Sequence, residues 1–141
     1  LKIFKEKIKR KGLDLRVNIE EDLPLFKGDR FKIEQMFVNL IDNAVRYTEK
    51  GYISVDMKKT SNNRNIEIGI LNTADPIPEK SLPRLFERFY VVDKSRSRKL
   101  GGTGLGLSIV KHVVLLHKGT ITVNNVRNEG TLFSLTLPIK N

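Results

Sequence analysis

Four glycines in six residues, Gly101-Gly102-Thr103-Gly104-Leu105-Gly106, run into an apolar helical pattern that starts at Leu107. Glycine lets the backbone take positive φ and approach a ligand closely, and the first amides of a helix attract anions. The stretch is therefore a candidate phosphate cradle. Its spacing excludes the two better-known phosphate loops. Walker A needs a lysine where Leu107 stands, and the dinucleotide pattern Gly-x-Gly-x-x-Gly loses its third glycine to the same leucine.

A second chemistry lies in Asn39, Asp42, Asn43 and Arg46, which share one stripe when placed at helical spacing. Asparagine is a poor helix former, so two on one stripe ask for a reason. Their carbonyl oxygens, one turn apart, suit a hard cation such as magnesium, which prefers oxygen ligands and keeps several waters. Arg46 then stands where it could contact a phosphate that the cation also touches. The plain alternative is a pair of solvated surface amides. Tyr47, at the edge of the stripe, either covers a flat ligand or packs.

The elements that must position these groups follow from the pattern. Leu1 to Lys11 forms an amphipathic helix stopped by Gly12, and doubles as the candidate tail of a preceding helical segment. Leu13, Leu15, Val17 and Ile19 alternate with polar residues as a half-buried strand. Asp29 is the expected N-cap of a helix that reaches Tyr47, with Ile33, Phe37, Leu40 and Ala44 toward the core. Strands over Tyr52 to Lys58 and Asn65 to Leu71 flank a hairpin turn at Ser61 to Arg64. A loop, Asn72 to Pro78, leads to a short helix over Leu82 to Phe89 with Pro83 in its first turn. Val92 to Lys99 is a basic lid. The helix from Leu107 is closed by Gly119, and Thr120 to Asn124 pairs with Leu132 to Leu137 around Asn128-Glu129-Gly130. These elements predict an α+β, two-layer sandwich with one mixed sheet of about five strands and helices on one face.

At 141 residues the chain is one domain's worth, and an opening Leu1 in place of Met suggests a piece of something longer. No apolar run is long enough for a signal peptide or a transmembrane helix. With no cysteine and two histidines, neither a disulfide nor a zinc site can be built. The net charge of +10 suits an anionic partner, but the basic residues are dispersed and lack the interleaved aromatics of a base-stacking surface. A nucleotide is favoured over nucleic acid.

Three motifs in order, Asn39-Leu40-Ile41-Asp42-Asn43-Ala44-Val45-Arg46-Tyr47, Leu85-Phe86-Glu87-Arg88-Phe89-Tyr90 and Gly102-Thr103-Gly104-Leu105-Gly106-Leu107, resemble the N box, F box and second glycine box of a known family. It is the catalytic and ATP-binding domain of bacterial sensor histidine kinases, in the GHKL superfamily with type II topoisomerases, MutL and certain heat-shock chaperones. The resemblance covers nearly the whole chain. It implies a Bergerat-type fold with ATP and magnesium bound. Asn43 would be the metal ligand with Asn39 beside it, Arg46 would lie near phosphate and Tyr47 near the nucleoside. Ile77 and Tyr90 would also contact ATP. The backbone of Gly102, Thr103, Gly104, Leu105, Gly106 and Leu107 would meet the phosphates, and residues 73–103 would form the lid region. His117-Lys118-Gly119-Thr120-Ile121 resembles the family's entry to a strand.

The first glycine box departs from the family. Its usual Asp-x-Gly-x-Gly aligns with Asn72-Thr73-Ala74-Asp75-Pro76, so both glycines and the adenine-binding carboxylate are gone. An asparagine carbonyl can still accept from the adenine amino group and its amide can donate as well, giving recognition that is weaker without the charge. Val91 likewise replaces a common basic residue, leaving Arg96, Arg98 or Lys99 to reach a phosphate from the lid.

By the resemblance, the phosphorylated histidine and its acidic partner belong to a helical dimerisation domain upstream, and no catalytic residue lies in this chain. His112 and His117 match no phosphoacceptor motif. The implied partners are that upstream domain and the receiver domain of a response regulator, with no nucleic acid. Membrane contact would come only through segments outside the chain. The implied location is cytoplasmic, with a full-length homodimer anchored in the inner membrane and the isolated piece monomeric. Alternatives are a serine kinase or ATPase of the same superfamily, and a degenerate docking module without nucleotide.

Overall fold

The computed structural model describes residues 2–21, 23, 28–88, 90 and 106–139. Helix α1 (Lys2–Arg10) ends at Gly12, whose φ of +72° lets the Gly12 amide donate to the Lys9 carbonyl and the Leu13 amide to the Ile8 carbonyl, both at 3.0 Å. Helix α2 (Arg30–Tyr47) begins at Asp29, whose Oδ1 accepts from the Phe31 and Lys32 amides at 3.0 and 3.1 Å. Helix α3 (Gly106–Leu116) completes the helical layer.

Five strands form one mixed sheet: β1 (Asp14–Ile19), β2 (Tyr52–Lys59), β3 (Asn65–Asn72), β4 (Thr120–Val126) and β5 (Gly130–Pro138). Their order is β1-β2-β3-β5-β4, with β1 and β2 parallel and the other pairs antiparallel. Alternation sends Val55, Ile66, Ile68, Ile70, Phe133, Leu135 and Leu137 to one face, where they meet Met36 and Leu40 of α2 and Val110, Val113 and Val114 of α3. A smaller cluster joins Ile8 of α1, Leu13 and Ile53 to Ile41, Ala44 and Val45. The side of α2 opposite its solvent face is thus locked to the sheet along most of its length. The two-layer expectation holds.

Three expectations change. Leu82 to Phe89 is not a helix: only Leu82–Arg84 forms a 3₁₀ turn, followed by turns to Arg88, and Phe89 lies outside the described residues. Pro83 brings no amide, and so short a segment gains little from helical hydrogen bonds. Val17 and Ile19, expected to be half-buried, are each 50% exposed. They sit on an edge strand, and the helical cluster reaches only to Leu13 and Leu15. The end of α3 is closed by Lys118, which takes φ 59°, and not by Gly119. The Gly119 amide donates to the Val114 carbonyl at 2.9 Å, and a Cβ on Gly119 would collide with the Thr136 carbonyl oxygen of the sheet.

Candidate functional site

Helix α2 presents the asparagine stripe at its C-terminal half. Asn39 Nδ2 makes a long contact of 3.4 Å to the Gly106 carbonyl, where α3 begins. Asn43 is half-buried, and its carboxamide has no hydrogen-bond partner among the described residues. Arg46, expected near a phosphate, pairs with Asp42 at 2.9 Å, both side chains about a third exposed. The end of the helix is held by Lys11, whose Nζ donates to the carbonyls of Val45 at 2.7 Å, Thr48 at 3.0 Å and Arg46 at 3.4 Å. A cation placed on the carbonyl end of a helix also opposes its macrodipole. Tyr47 is half-buried in this last turn.

At the adjoining end of the sheet, one transverse row crosses four strands: Ile53, Asn72, Thr131 and Asn125 are register partners on β2, β3, β5 and β4. Asn72 continues the inward series Ile66, Ile68, Ile70 and is 3% exposed, as is Thr131. Neither side chain has a hydrogen-bond partner among the described residues. Buried polar groups are nearly always satisfied, so two orphans side by side call for a ligand or water. Gly130 makes their approach possible, since a Cβ there would collide with the Asn72 carbonyl oxygen.

Asn125 closes the row from the far side. Its Oδ1 accepts from the Ile77 amide at 2.9 Å, and its Nδ2 donates to the Ile77 carbonyl at 2.8 Å. The loop 73–78 is therefore pinned at Ile77. At its other end, the Thr73 hydroxyl donates to the Lys50 carbonyl at 2.7 Å and accepts from the Tyr52 amide at 3.1 Å. The loop keeps a defined course without the two missing glycines.

Tyr90 donates to Ser81 Oγ at 2.7 Å, with the Arg84 guanidinium 4.3 Å from its ring centre. Phe86 meets Phe133 edge-on, centroids 6.1 Å apart, which anchors the segment to β5. Gly106 and Leu107 open α3, Leu107 against the core. Gly102, Thr103, Gly104 and Leu105, with Val91, Arg96, Arg98 and Lys99 of the lid, lie outside the described residues. His117 is buried: its Nε2 accepts from the Asp29 amide at 3.1 Å and its Nδ1 bonds the Val113 carbonyl at 2.9 Å. His112 is exposed. A separate cavity of about 400 Å³, lined by Lys32, Gln35, Arg88, Ser108, Ile109, His112 and Val113, contains none of the expected site residues.

Among the described residues no three His, Cys, Asp or Glu side chains cluster to hold a metal. A single neutral oxygen from Asn43 fits magnesium, which completes its shell with waters and substrate phosphates. Thr131 and Asn125 were missed from the sequence. Their signal was the hairpin turn at 127–129, which sets Asn125 opposite Thr131, but Asn72 joins them only through the pairing of β3 with β5.

Residues 28–141 match the family described as Histidine kinase-, DNA gyrase B-, and HSP90-like ATPase. Sensor histidine kinase WalK of Bacillus subtilis is 38% identical over 128 residues, 90% of this chain and 20% of that protein. Sensor histidine kinase CusS of Escherichia coli K12 is 43% identical over 111 residues, 79% of this chain and 23% of that protein. The chain thus spans about a fifth of the length of these relatives. The nucleotide-free catalytic domain of histidine kinase ThkA superposes with a TM-score of 0.83 at 29% identity, covering 99% of this chain and 88% of that one. ThkA has also been solved in complex with response regulator protein TrrA, matching with a TM-score of 0.78 at 26% identity over 98% of this chain and 37% of that one.

Proposed function

The chain belongs to the histidine kinase-, DNA gyrase B- and HSP90-like ATPases, and from that membership we propose that it binds ATP with magnesium and presents the γ-phosphoryl group to a histidine on a separate helical domain. It would be the catalytic and ATP-binding unit, residues 1–141, of a two-component sensor histidine kinase, with 1–11 as the tail of the preceding segment and 73–103 as the lid region. The observation that carries this reading is Asn72, a buried carboxamide with no hydrogen-bond partner among the described residues, at the end of the sheet beside α2.

In this reading the Asn72 oxygen accepts from the adenine amino group, and the Thr131 hydroxyl shares the floor. Ile77, held by Asn125, covers the base from the loop, with Tyr47 and Tyr90 at its margin. Asn43 ligates magnesium with Asn39 beside it, and Arg46 turns from Asp42 to a phosphate. The backbone of Gly102 to Leu107 receives the remaining phosphate oxygens. Bound magnesium would neutralise charge on the phosphates. The chain's own part is positioning, which is the main demand of phosphoryl transfer.

The histidine and its acidic partner would come from the upstream dimerisation domain. A response regulator receiver domain would be the next partner, a reading supported by the ThkA complex with TrrA. No helix among the described residues is long and apolar enough to cross a membrane. That fits a cytoplasmic domain in a membrane-anchored homodimer. The test is a calorimetric titration with a non-hydrolysable ATP analogue, with and without magnesium. Saturable binding that strengthens with magnesium is expected, and no heat up to about 1 mM nucleotide, the upper end of ordinary substrate affinities, would overturn the reading.

A further inference from the structure

Asn72 is the group that would read the base, and its chemistry is two-sided. A carboxylate only accepts hydrogen bonds, whereas a carboxamide has an accepting oxygen and a donating NH₂ that a half-turn of the side chain exchanges. The surroundings leave that exchange open. The amide is 3% exposed and is held by no hydrogen bond among the described residues. Its register neighbours are Ile53, which offers no polar side-chain atom, and Thr131, whose hydroxyl donates or accepts by rotation. No carboxylate stands in the row, and Asp75 is exposed.

Adenine carries a 6-amino donor, while guanine and hypoxanthine carry a 6-oxo acceptor. A carboxylate at this position would face a 6-oxo group with no donor and with its own charge turned toward it, the arrangement that makes a polar pocket reject an analogue. Asn72 imposes no such penalty. We infer that this site accepts 6-oxo as well as 6-amino purine nucleoside triphosphates, Asn72 turning its NH₂ toward the first and its oxygen toward the second. The inference rests on the nucleotide-binding reading above.

The chain and its variants Asn72→Asp and Asn72→Ala are titrated with magnesium complexes of ATP and ITP, and folding is checked by circular dichroism. ITP lacks the 2-amino group of guanine, so it differs from ATP only along the N1–C6 edge, where a 6-oxo group and a proton on N1 replace the amino group and the bare N1. The unsubstituted chain binds ITP within about fivefold of ATP, and Asn72→Asp shifts the ratio toward ATP by at least about tenfold, the size expected for one unpaired buried polar group. Asn72→Ala weakens both nucleotides and keeps their ratio near one, which retains a test if the buried aspartate prevents folding. Binding of ATP with exclusion of ITP by more than about fiftyfold, the behaviour of a site with a fixed acceptor, overturns the inference. So does a ratio that a folded Asn72→Asp leaves unmoved. A chain that binds neither nucleotide overturns the ATP-binding reading itself, so the two failures are distinguishable.

Discussion

The carboxamide of Asn125 holds both backbone polar groups of Ile77, accepting from its amide at 2.9 Å and donating to its carbonyl at 2.8 Å across 48 residues of sequence. A side chain is here completing the backbone pairing that another strand would have supplied. Removing it with Asn125→Ala leaves Thr73 as the loop's remaining hydrogen-bonded tie to the sheet among the described residues, and the fold's core is untouched because Asn125 is half-buried at the sheet margin. Two hydrogen bonds at about 1 kcal/mol each would be lost, so stability falls by up to about 2 kcal/mol, and nucleotide affinity falls roughly tenfold as the loop loses its place. Calorimetry and a urea melt measure the two. Faster hydrogen exchange at the Ile77 amide is the local signature.

Among the described residues the Asn43 side chain makes no hydrogen bond that its loss could break. Asn43→Ala is therefore expected to change stability by less than about 1 kcal/mol and, on a helix, to regain some propensity. Its effect falls on the metal. Magnesium titrated into the nucleotide complex should give a strengthening in the parent that is absent in the variant, and an unchanged magnesium curve would remove Asn43 from the metal's shell.

Lys11 reaches from the end of α1 to three carbonyls at the end of α2. The arrangement combines charge-assisted hydrogen bonds with a favourable dipole position, and Lys11→Met keeps the stem but loses the ammonium. Because the lysine is largely exposed, solvent screening limits the loss to about 1 kcal/mol. A denaturant melt would show it. Fluorescence or NMR of Tyr47, in the same turn, would report whether the end of α2 frays.

What could be read from the chain alone was whatever depends on neighbours in sequence. The Asp29 cap, the burial of Leu40 and Ala44 on α2 and the alternation of β3 are local patterns that appear where the sequence put them, whereas Ile33 and Phe37 are only partly buried and Met36, Ile41 and Val45 join the core instead. The place of Asn72 at the junction of strand and loop was also local, although the sequence put it first in the loop and the structure puts it last in β3. What it meant was not, because its isolation depends on Ile53 and Thr131 lying beside it, and on Gly130 allowing β5 to come close. The exposure of Val17 and Ile19 was hidden for a related reason: alternation says that a strand has an apolar face, not that a helix covers it. The 82–88 segment misled through its spacing of Leu82, Leu85 and Phe86, which is helical, although Phe86 packs on the core and Leu85 is buried from a turn.

His117 ties the end of α3 to the start of α2, and the chemistry of its ring says how. With Nε2 accepting from the Asp29 amide and Nδ1 against the Val113 carbonyl, the ring must carry its proton on Nδ1, since a carbonyl can only accept. Nitrogen NMR should therefore find the Nδ1–H tautomer. His117→Phe keeps the bulk but leaves the Asp29 amide without its acceptor at the very residue that caps α2, a loss of about 1 kcal/mol because Asp29 is exposed to water. His117→Gln places an oxygen near the former Nε2 and should recover at least half of that loss, whereas His117→Asn, with a side chain too short to reach Asp29, should not. If Phe, Gln and Asn are equally destabilising in a urea melt, the bond to Asp29 carries no weight.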